Sequence, residues 1–314
     1  MKSSAVEDIF GRVAEQNLAL LADPLSPIEA GILKALVYAD VFDYALTLPE
    51  IQRYMPMCSA SQDEIRTVIA SSKILVPKYI EQHGKFYTLA GRGKTVSIRQ
   101  QRADFATKLW PIALHYARII ARLPFIRMIA VTGALAVDNV DSEADIDFLI
   151  ITQSGHVWLC RALVIAIVKL AKWQGHKICP NYFLSERALI LEDRNLFSAH
   201  ELAQMVPLAD HNIYQQMNTV NTWVRSYLPN AEIASPHYEI EPTSGYWLKS
   251  LFEAVFNTPF GTMLENWEMH RKLRRFRAIG GTETLFNADC CKGHFEHHGQ
   301  RILNAYNARL RIHS

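Results

Sequence analysis

The stretch FIRMIAVTGALAVDNVDSEADIDFLIIT, residues 125–152, decides the fold of this chain. Its first part, Ile126–Thr132, is an apolar run rich in β-branched residues and bounded by Gly133, which is typical of a buried strand. Gly133–Ala136 predicts a turn into a short helix. Residues 145–151 predict a second strand, apolar except for two aspartates separated by one residue.

The two aspartates, Asp145 and Asp147, point to metal chemistry. Side chains two positions apart on a strand share one face and lie about 6.6 Å apart along it. Two carboxylates on an apolar strand repel each other, and such a cluster is costly unless a cation neutralises it. Mg²⁺ prefers oxygen ligands and is commonly held by one or two carboxylates together with substrate phosphates. The pair therefore predicts a site for Mg²⁺ or Mn²⁺.

Gly133 adds the features of a phosphate site. A glycine at a strand-to-helix turn lets the backbone approach a ligand closely, and the N–H groups at the following helix start favour an anion. A phosphate cradle just before a carboxylate pair predicts metal-assisted phosphoryl or nucleotidyl transfer. An Asp-x-Asp motif alone is common and often carries two solvated acids, so the glycine at this separation is what favours a functional site.

This pattern resembles the signature of the DNA polymerase beta-like nucleotidyltransferases, which is a strand, Gly-Ser, a short helix and Asp-x-Asp on the next strand. The string TGALAVDNVDSEADIDFLII is similar to minimal bacterial nucleotidyltransferase domains. A weaker likeness in CPNYFLSE, AHELAQ and NTWVRSYLPN extends to about residue 230. The resemblance implies an α+β fold with a nucleotidyltransferase-type mixed sheet flanked by helices. It also implies that Asp145 and Asp147 are catalytic and bind the metal, and that Gly133 and Ala134 hold a nucleoside triphosphate (NTP).

Two positions depart from the family pattern. Ala134 stands where the family usually has serine, so a hydroxyl to the phosphates is missing while the backbone N–H remains. The family's third carboxylate lies on a later strand, but the best later strand here, residues 177–185, contains Asn181 and no acid. Glu201 is the first choice for the missing carboxylate, because related aminoglycoside nucleotidyltransferases place a base on a helix outside the sheet. A solvated helix glutamate is the alternative.

The apolar segment Val157–Trp173 follows the Asp-x-Asp strand and predicts a helix packed on the sheet. Three basic residues interrupt it, which argues against a membrane span. One of them, Arg161, is a candidate phosphate ligand, and a solvated arginine is the alternative.

The N-terminal part predicts a helix within residues 1–24 and a winged-helix-like domain over residues 25–100, with three helices and a hairpin turning at His83-Gly84. Residues 101–124 predict a connecting helix. Basic residues near the wing are possible phosphate contacts: Lys85, Arg92, Lys94, Arg99 and Arg102. The third helix, however, has one arginine and two acids in SQDEIRTVIASS, which is poorly suited to reading base edges.

Residues 125–205 predict the transferase core, and residues 206–314 predict a helical C-terminal region. Its basic cluster, residues 270–277 (HRKLRRFR), is either a solvated helix end or a contact for RNA or an acidic partner. The residues Cys290, Cys291, His294, His297 and His298 suggest a structural zinc, but their spacing matches no common finger.

Composition excludes some classes of function. The 314 residues carry a net charge of only +2 and are 49% hydrophobic, so a polyanion would need a local basic patch. The five cysteines form no CxxC pair, which favours reduced thiols. Without a signal-like start, the sequence predicts a cytoplasmic protein with no membrane partner.

The sequence thus predicts a Mg²⁺-dependent nucleotidyltransferase that moves NMP from an NTP to an unknown acceptor hydroxyl or phosphate. The acceptor is open among small molecules, proteins and RNA. The alternative is a catalytically degenerate, nucleotide-sensing or nucleic-acid-binding regulator, which Ala134 and Asn181 favour. A structural adaptor that binds no NTP is a third possibility.

Overall fold

The structure is a computed structural model that describes residues 25–232, 238, 240, 246–277, 284–293 and 298–312. The predicted N-terminal helix lies outside these residues. Contacts divide the chain into two units. The first contains residues 1–100, 225–231 and 300–314, and the second contains residues 101–224 and 232–299.

Between residues 27 and 89, the first unit contains three helices and a small antiparallel sheet with the strand order β1-β3-β2. In chain order its elements are α1 (Pro27–Asp40), β1 (Leu46–Thr47), α2 (Leu48–Tyr54), α3 (Gln62–Ser71), β2 (Ile80–His83) and β3 (Phe86–Leu89). Capping boxes begin α2 at Thr47 and α3 at Ser61, each with a glutamate three residues later. The hairpin turns at residues 84–85, one position later than predicted, and Gly84 supplies the positive φ of 63° that the turn needs.

The last helix, α12 (His298–Ile312), belongs to this first unit from residue 300 onward. Tyr306 is buried and packs edge-on against Tyr38 of α1, with ring centroids 5.8 Å apart. Arg309 donates to the carboxylate of Asp40 at 3.0 Å. The end of the chain is therefore part of the core of the N-terminal unit.

The second unit is built on a six-stranded mixed sheet with the order β7-β4-β5-β6-β9-β8. Its strands are β4 (Ile126–Thr132), β5 (Ile146–Thr152), β6 (Ile178–Ser185), β7 (Val206–Ala209), β8 (Thr284–Phe286) and β9 (Cys290–Gly293). Strands β5 and β6 are parallel, and the other neighbours are antiparallel. The mixed α+β class is confirmed.

The helices from residue 94 to residue 277 belong to this second unit, apart from residues 94–100 and 225–227, which belong to the first. They are α4 (Lys94–Ala121), α5 (Gly133–Ala136), α6 (Val157–Trp173), α7 (Leu196–Gln204), α8 (His211–Val220), α9 (Val224–Tyr227), α10 (Tyr246–Phe256) and α11 (Pro259–Arg277). One face of β5, with Phe148 and Ile150, belongs to a core cluster that includes Trp158 of α6 and Trp110 of α4. Because side chains alternate on a strand, Asp147 points to the opposite face.

The predicted all-helical C-terminal region, residues 206–314, is wrong in one respect, because β7, β8 and β9 lie within it. These strands have four, three and four residues, too few to produce a recognisable alternation. The connecting helix also begins earlier than predicted, at Lys94, since no glycine or proline separates it from residue 101. None of the described helices is long and apolar enough to cross a membrane.

Candidate metal and nucleotide site

Three side chains meet at the beginning of β5. Asp145, Asp147 and Cys179 each offer one ligand atom, and these atoms lie within 4.8 Å of one another. Cys179 takes part because β5 and β6 are parallel and their register pairs it with Asp147. Asp145 is exposed, whereas Asp147 and Cys179 are half-buried. The two predicted metal ligands therefore share one face and open toward solvent.

A bulge in β6 adds Asn181 to this group. Phe148 pairs with Pro180 and Leu149 pairs with Tyr182, so Asn181 is one extra residue in β6. Its amide nitrogen donates to a carboxylate oxygen of Asp147. Its amide oxygen accepts from the thiol of Cys179 at 2.8 Å. An amide thus stands beside the acid pair on the strand where the resemblance implied a third carboxylate.

Cys179 is the residue that the sequence analysis missed, since it was interpreted as an ordinary reduced thiol. The signal is present in the sequence as Cys-Pro-Asn on the strand that follows the Asp-x-Asp strand. Interpreting it required knowing that the two strands are adjacent, parallel and in this register.

Gly133 lies directly against the acid pair. Thr132, the last residue of β4, pairs with Asp147 across the sheet. Gly133 follows with a φ of 65°, a conformation that glycine adopts without strain. A Cβ atom at this position would lie 2.5 Å from Oδ2 of Asp147. The backbone bend predicted to seat phosphates and the carboxylates predicted to hold the metal are therefore in contact.

Gly133→Ala should damage this site specifically. The new methyl group requires Asp147 to move and also places a Cβ on a positive-φ residue, which costs about 1 kcal/mol or more. We expect an apparent Mn²⁺ affinity lowered about tenfold or more, measured by isothermal titration calorimetry. Gly155→Ala is the matched control, because Gly155 has a φ of 80° and a Cβ there meets nothing within 4 Å. Equal Mn²⁺ affinities of the two variants would contradict the contact.

Negative charge accumulates at the site. Burial, followed by the charges of Asp145 and Glu201, raises the pKa of Asp147 to about 8. Burial raises the pKa of Glu201, on α7, to about 7, and Lys292 opposes that shift. The predicted third acid, Glu201, therefore lies close enough to act electrostatically on Asp147. A cluster of partly buried acids of this kind is stabilised by a bound cation.

The donor groups fit a hard divalent cation. Asp145 and Asp147 supply the carboxylate oxygens that Mg²⁺ and Mn²⁺ prefer. Burial and the two neighbouring carboxylates raise the pKa of Cys179 to about 12, so its thiol is protonated at neutral pH without a metal. A protonated thiol is a poor ligand, since metals bind the thiolate.

Arg161, the predicted phosphate ligand, is not brought to the acid pair. Its side chain interacts with the thiol of Cys291 on β9. Cys291 belongs to the same core cluster as Phe148, which points away from Asp147. Arg161 therefore lies at the face of the sheet opposite to the acid pair. Its partner Cys291 is placed there by the pairing of β9 with β6.

The suggested zinc site is not supported within the described residues. Cys290 and Cys291 are consecutive on β9, so their side chains point to opposite faces. His298 is exposed, and His294 and His297 lie outside the described residues. The metal-ligand group found in the described part of the chain is the one at Asp145, Asp147 and Cys179.

The basic residues near the predicted wing are partly engaged in internal contacts. Arg92 pairs with Asp40 at 2.6 Å, and Arg99 pairs with Glu50 at 2.7 Å. Arg102 donates to Asn139 at 3.1 Å. Lys85 and Lys94 are exposed. In the 270–277 cluster, Arg271 pairs with Glu268 at 2.6 Å, and the side chains of residues 275–277 are not among those that the structure describes.

Comparison of the chain with protein-family models, with curated proteins and with solved structures returned no match.

Proposed function

We propose that this protein is a nucleotidyltransferase that uses Mg²⁺ or Mn²⁺ to transfer NMP from an NTP to an acceptor hydroxyl or phosphate. One observation carries the proposal. The Gly133 bend lies so close to Asp147 that a Cβ atom at residue 133 would be 2.5 Å from Oδ2, while Asp145 and Asp147 share one face. A phosphate seat in contact with a carboxylate pair is the arrangement that metal-assisted nucleotidyl transfer requires.

Each residue has a distinct task in this proposal. The backbone N–H groups of Gly133 and Ala134 hold the triphosphate, and the acceptor oxygen attacks the α-phosphorus while pyrophosphate leaves. Asp145 and Asp147 hold the divalent ion, which neutralises phosphate charge when bound. Asn181 fixes the orientation of Asp147 through its amide hydrogen bond. Glu201 takes the proton of an acceptor hydroxyl, because a carboxylate with a pKa of about 7 is matched to neutral pH.

The N-terminal unit supplies the recognition part of the proposal. Its order of helix, strand, helix, helix, strand, strand, with a three-stranded antiparallel sheet, supports a winged-helix-like module that selects the acceptor. Contact of this module with nucleic acid stays a prediction. Two of its basic side chains, Arg92 and Arg99, already have acidic partners.

A nucleotide-sensing regulator is the second candidate function. Asn181, which takes the place of an acid beside Asp147, favours it, as does Ala134 in place of the usual serine. A site of this kind binds NTP and metal without transfer.

Transfer assays distinguish the two candidates. The protein is incubated with each α-labelled NTP, Mg²⁺ or Mn²⁺, and small-molecule, protein and RNA acceptors, and both transferred label and released pyrophosphate are measured. We expect the wild type to transfer label and Asp145→Asn to lower the rate of transfer about 100-fold or more. A catalytic metal contributes several kcal/mol of transition-state stabilisation. Asp141→Asn is the control, because Asp141 is exposed and its amide replacement retains an acceptor for the Glu143 N–H.

Two other outcomes of these assays would change the assignment. Metal-dependent NTP binding without any transfer would support the regulator. Absence of NTP binding in equilibrium dialysis would contradict both candidates and leave the structural adaptor.

A further inference from the structure

Helices α10 and α11 expose an unusual amount of apolar surface. On α10, the exposed fractions are 68% for Trp247, 54% for Leu251 and 49% for Val255, at helical spacings of four residues. On α11, Met263 is 62% exposed and Trp267 is 58% exposed, again four residues apart. We call these side chains, together with Leu248, Phe252 and Phe260, the outer apolar face.

The inner side of α10 carries two charged groups. Lys249 donates to the backbone carbonyls of Ala121 and Ile126, at 3.1 and 2.8 Å. Glu253 accepts from the N–H of Phe125 at 2.7 Å, and it pairs with Arg127. On α10, two charged groups therefore lie on the inner side together with Phe256, while most of the aromatic and aliphatic side chains point outward.

The outer apolar face is continuous across the turn between the two helices. The rings of Phe252 and Phe256 are stacked with their centroids 6.5 Å apart. The rings of Phe256 and Phe260 are stacked with their centroids 6.4 Å apart. This row of rings joins the exposed stripe of α10 to that of α11. Contiguous apolar patches of this kind mark contact surfaces on soluble proteins.

The charge around this face has one sign. Lys249 and Glu253 are the charged residues of α10, and both are engaged on its inner side. On α11, Glu265 and Glu268 are only 5% exposed. Beyond Trp267, the exposed Arg274 carries basic charge on α11, whereas Arg271 is already paired with Glu268 at 2.6 Å.

We propose that the outer apolar face docks on the surface of an anionic lipid bilayer. Helices that lie in the membrane interface combine Trp, Phe and Leu with Lys and Arg. Tryptophan is favoured at headgroup depth, and anionic headgroups attract the basic end of α11. The proposal concerns a surface contact, and it differs from the sequence-based expectation of no membrane partner.

Vesicle co-sedimentation of the full chain tests this proposal. We expect binding to vesicles of phosphatidylcholine mixed with phosphatidylglycerol, weaker binding to phosphatidylcholine alone, and weakening by salt. The double variant Trp247→Ser with Leu251→Ser should bind at least about tenfold more weakly, because it removes two large apolar contacts. Arg274→Gln should lower binding to the anionic vesicles about fivefold.

Trp173→Ser is the matched control, because Trp173 is 86% exposed but lies at the end of α6, outside this face. Its vesicle binding should equal that of the wild type, and circular dichroism shows whether each variant is folded. Several results overturn the proposal. These are no vesicle binding by the full chain, equal loss in the control, equal binding to neutral vesicles, or a dimer that only the double variant dissociates. The last result would assign the face to a second copy of the chain.

Discussion

Asp147→Asn should lower nucleotidyl transfer about 1000-fold and remove measurable Mn²⁺ binding. The substitution keeps the size of the side chain, so the contact with Gly133 is retained. It removes one of the two carboxylates that the proposed metal site depends on, and a catalytic metal is worth several kcal/mol of transition-state stabilisation. Transfer is measured with the labelled NTP assay, and Mn²⁺ binding by calorimetry.

The same substitution should stabilise the metal-free protein at alkaline pH. The pKa of Asp147 is raised from 3.8 to about 8 in the folded chain, so the folded state binds more protons than the unfolded state between these values. The free energy of unfolding therefore falls as the pH rises through this window. Asparagine carries no charge and lacks this loss. We expect Asp147→Asn to be more stable by several kcal/mol at pH 8.5, with the difference vanishing near pH 4.

Thermal unfolding in the presence of EDTA measures this difference. At pH 8.5 the Tm of Asp147→Asn should be several degrees higher than that of the wild type. Adding Mn²⁺ at pH 8.5 should raise the Tm of the wild type and leave that of the variant unchanged. A variant that is less stable than the wild type at pH 8.5 without metal would contradict the electrostatic strain at this site. Asp141→Asn, at an exposed acid, should change neither value.

Glu265→Ala should destabilise the second unit by about 3 kcal/mol. Glu265 lies on α11 and is only 5% exposed, and its carboxylate accepts from the N–H groups of Trp158 and Leu159 at 2.8 and 2.6 Å. These are two of the first-turn N–H groups of α6, which have no partner within the helix. Leaving buried donors unsatisfied costs about 1–3 kcal/mol each, and a carboxylate at this position also interacts favourably with the positive N-terminal end of the helix dipole.

Urea denaturation measures this effect as a lower midpoint with an unchanged slope. Glu265→Gln keeps one acceptor oxygen, so about half of the loss should be recovered. Asn266→Ala is the control, because its side chain is exposed on the same helix and should change stability by about 0.5 kcal/mol or less. A loss in Glu265→Ala no greater than that of the control would show that the α6 N–H groups do not depend on this carboxylate.

Local signals in the sequence were sufficient for much of the fold. Strand Ile126–Thr132 and helix Val157–Trp173 have the predicted bounds, because a β-branched run ending at glycine and a long apolar helix are recognisable in isolation. The capping boxes at Thr47 and Ser61 were equally local. Strand Val206–Ala209 was not predictable in this way. Its identity depends on pairing with β4, about 75 residues earlier in the sequence.

The residues of the candidate site also fall into those that local sequence predicts and those that it does not. Asp145, Asp147 and Gly133 belong to one continuous stretch, so their spacing sufficed to place them together. Cys179 is at the site because of the register between β5 and β6, and Arg161 is on the other face because α6 packs there. Such placements arise from tertiary structure and leave no periodic trace in the sequence.

The bulge in β6 has a consequence for how the site can change over time. Because the extra residue is asparagine, and the codons of asparagine and aspartate differ by a single base, one point mutation would put a third acid beside Asp147. The same product arises chemically when the amide of Asn181 is hydrolysed. Versions of this site with two and with three acids on the paired strands are therefore separated by one small step, without any rearrangement of the sheet.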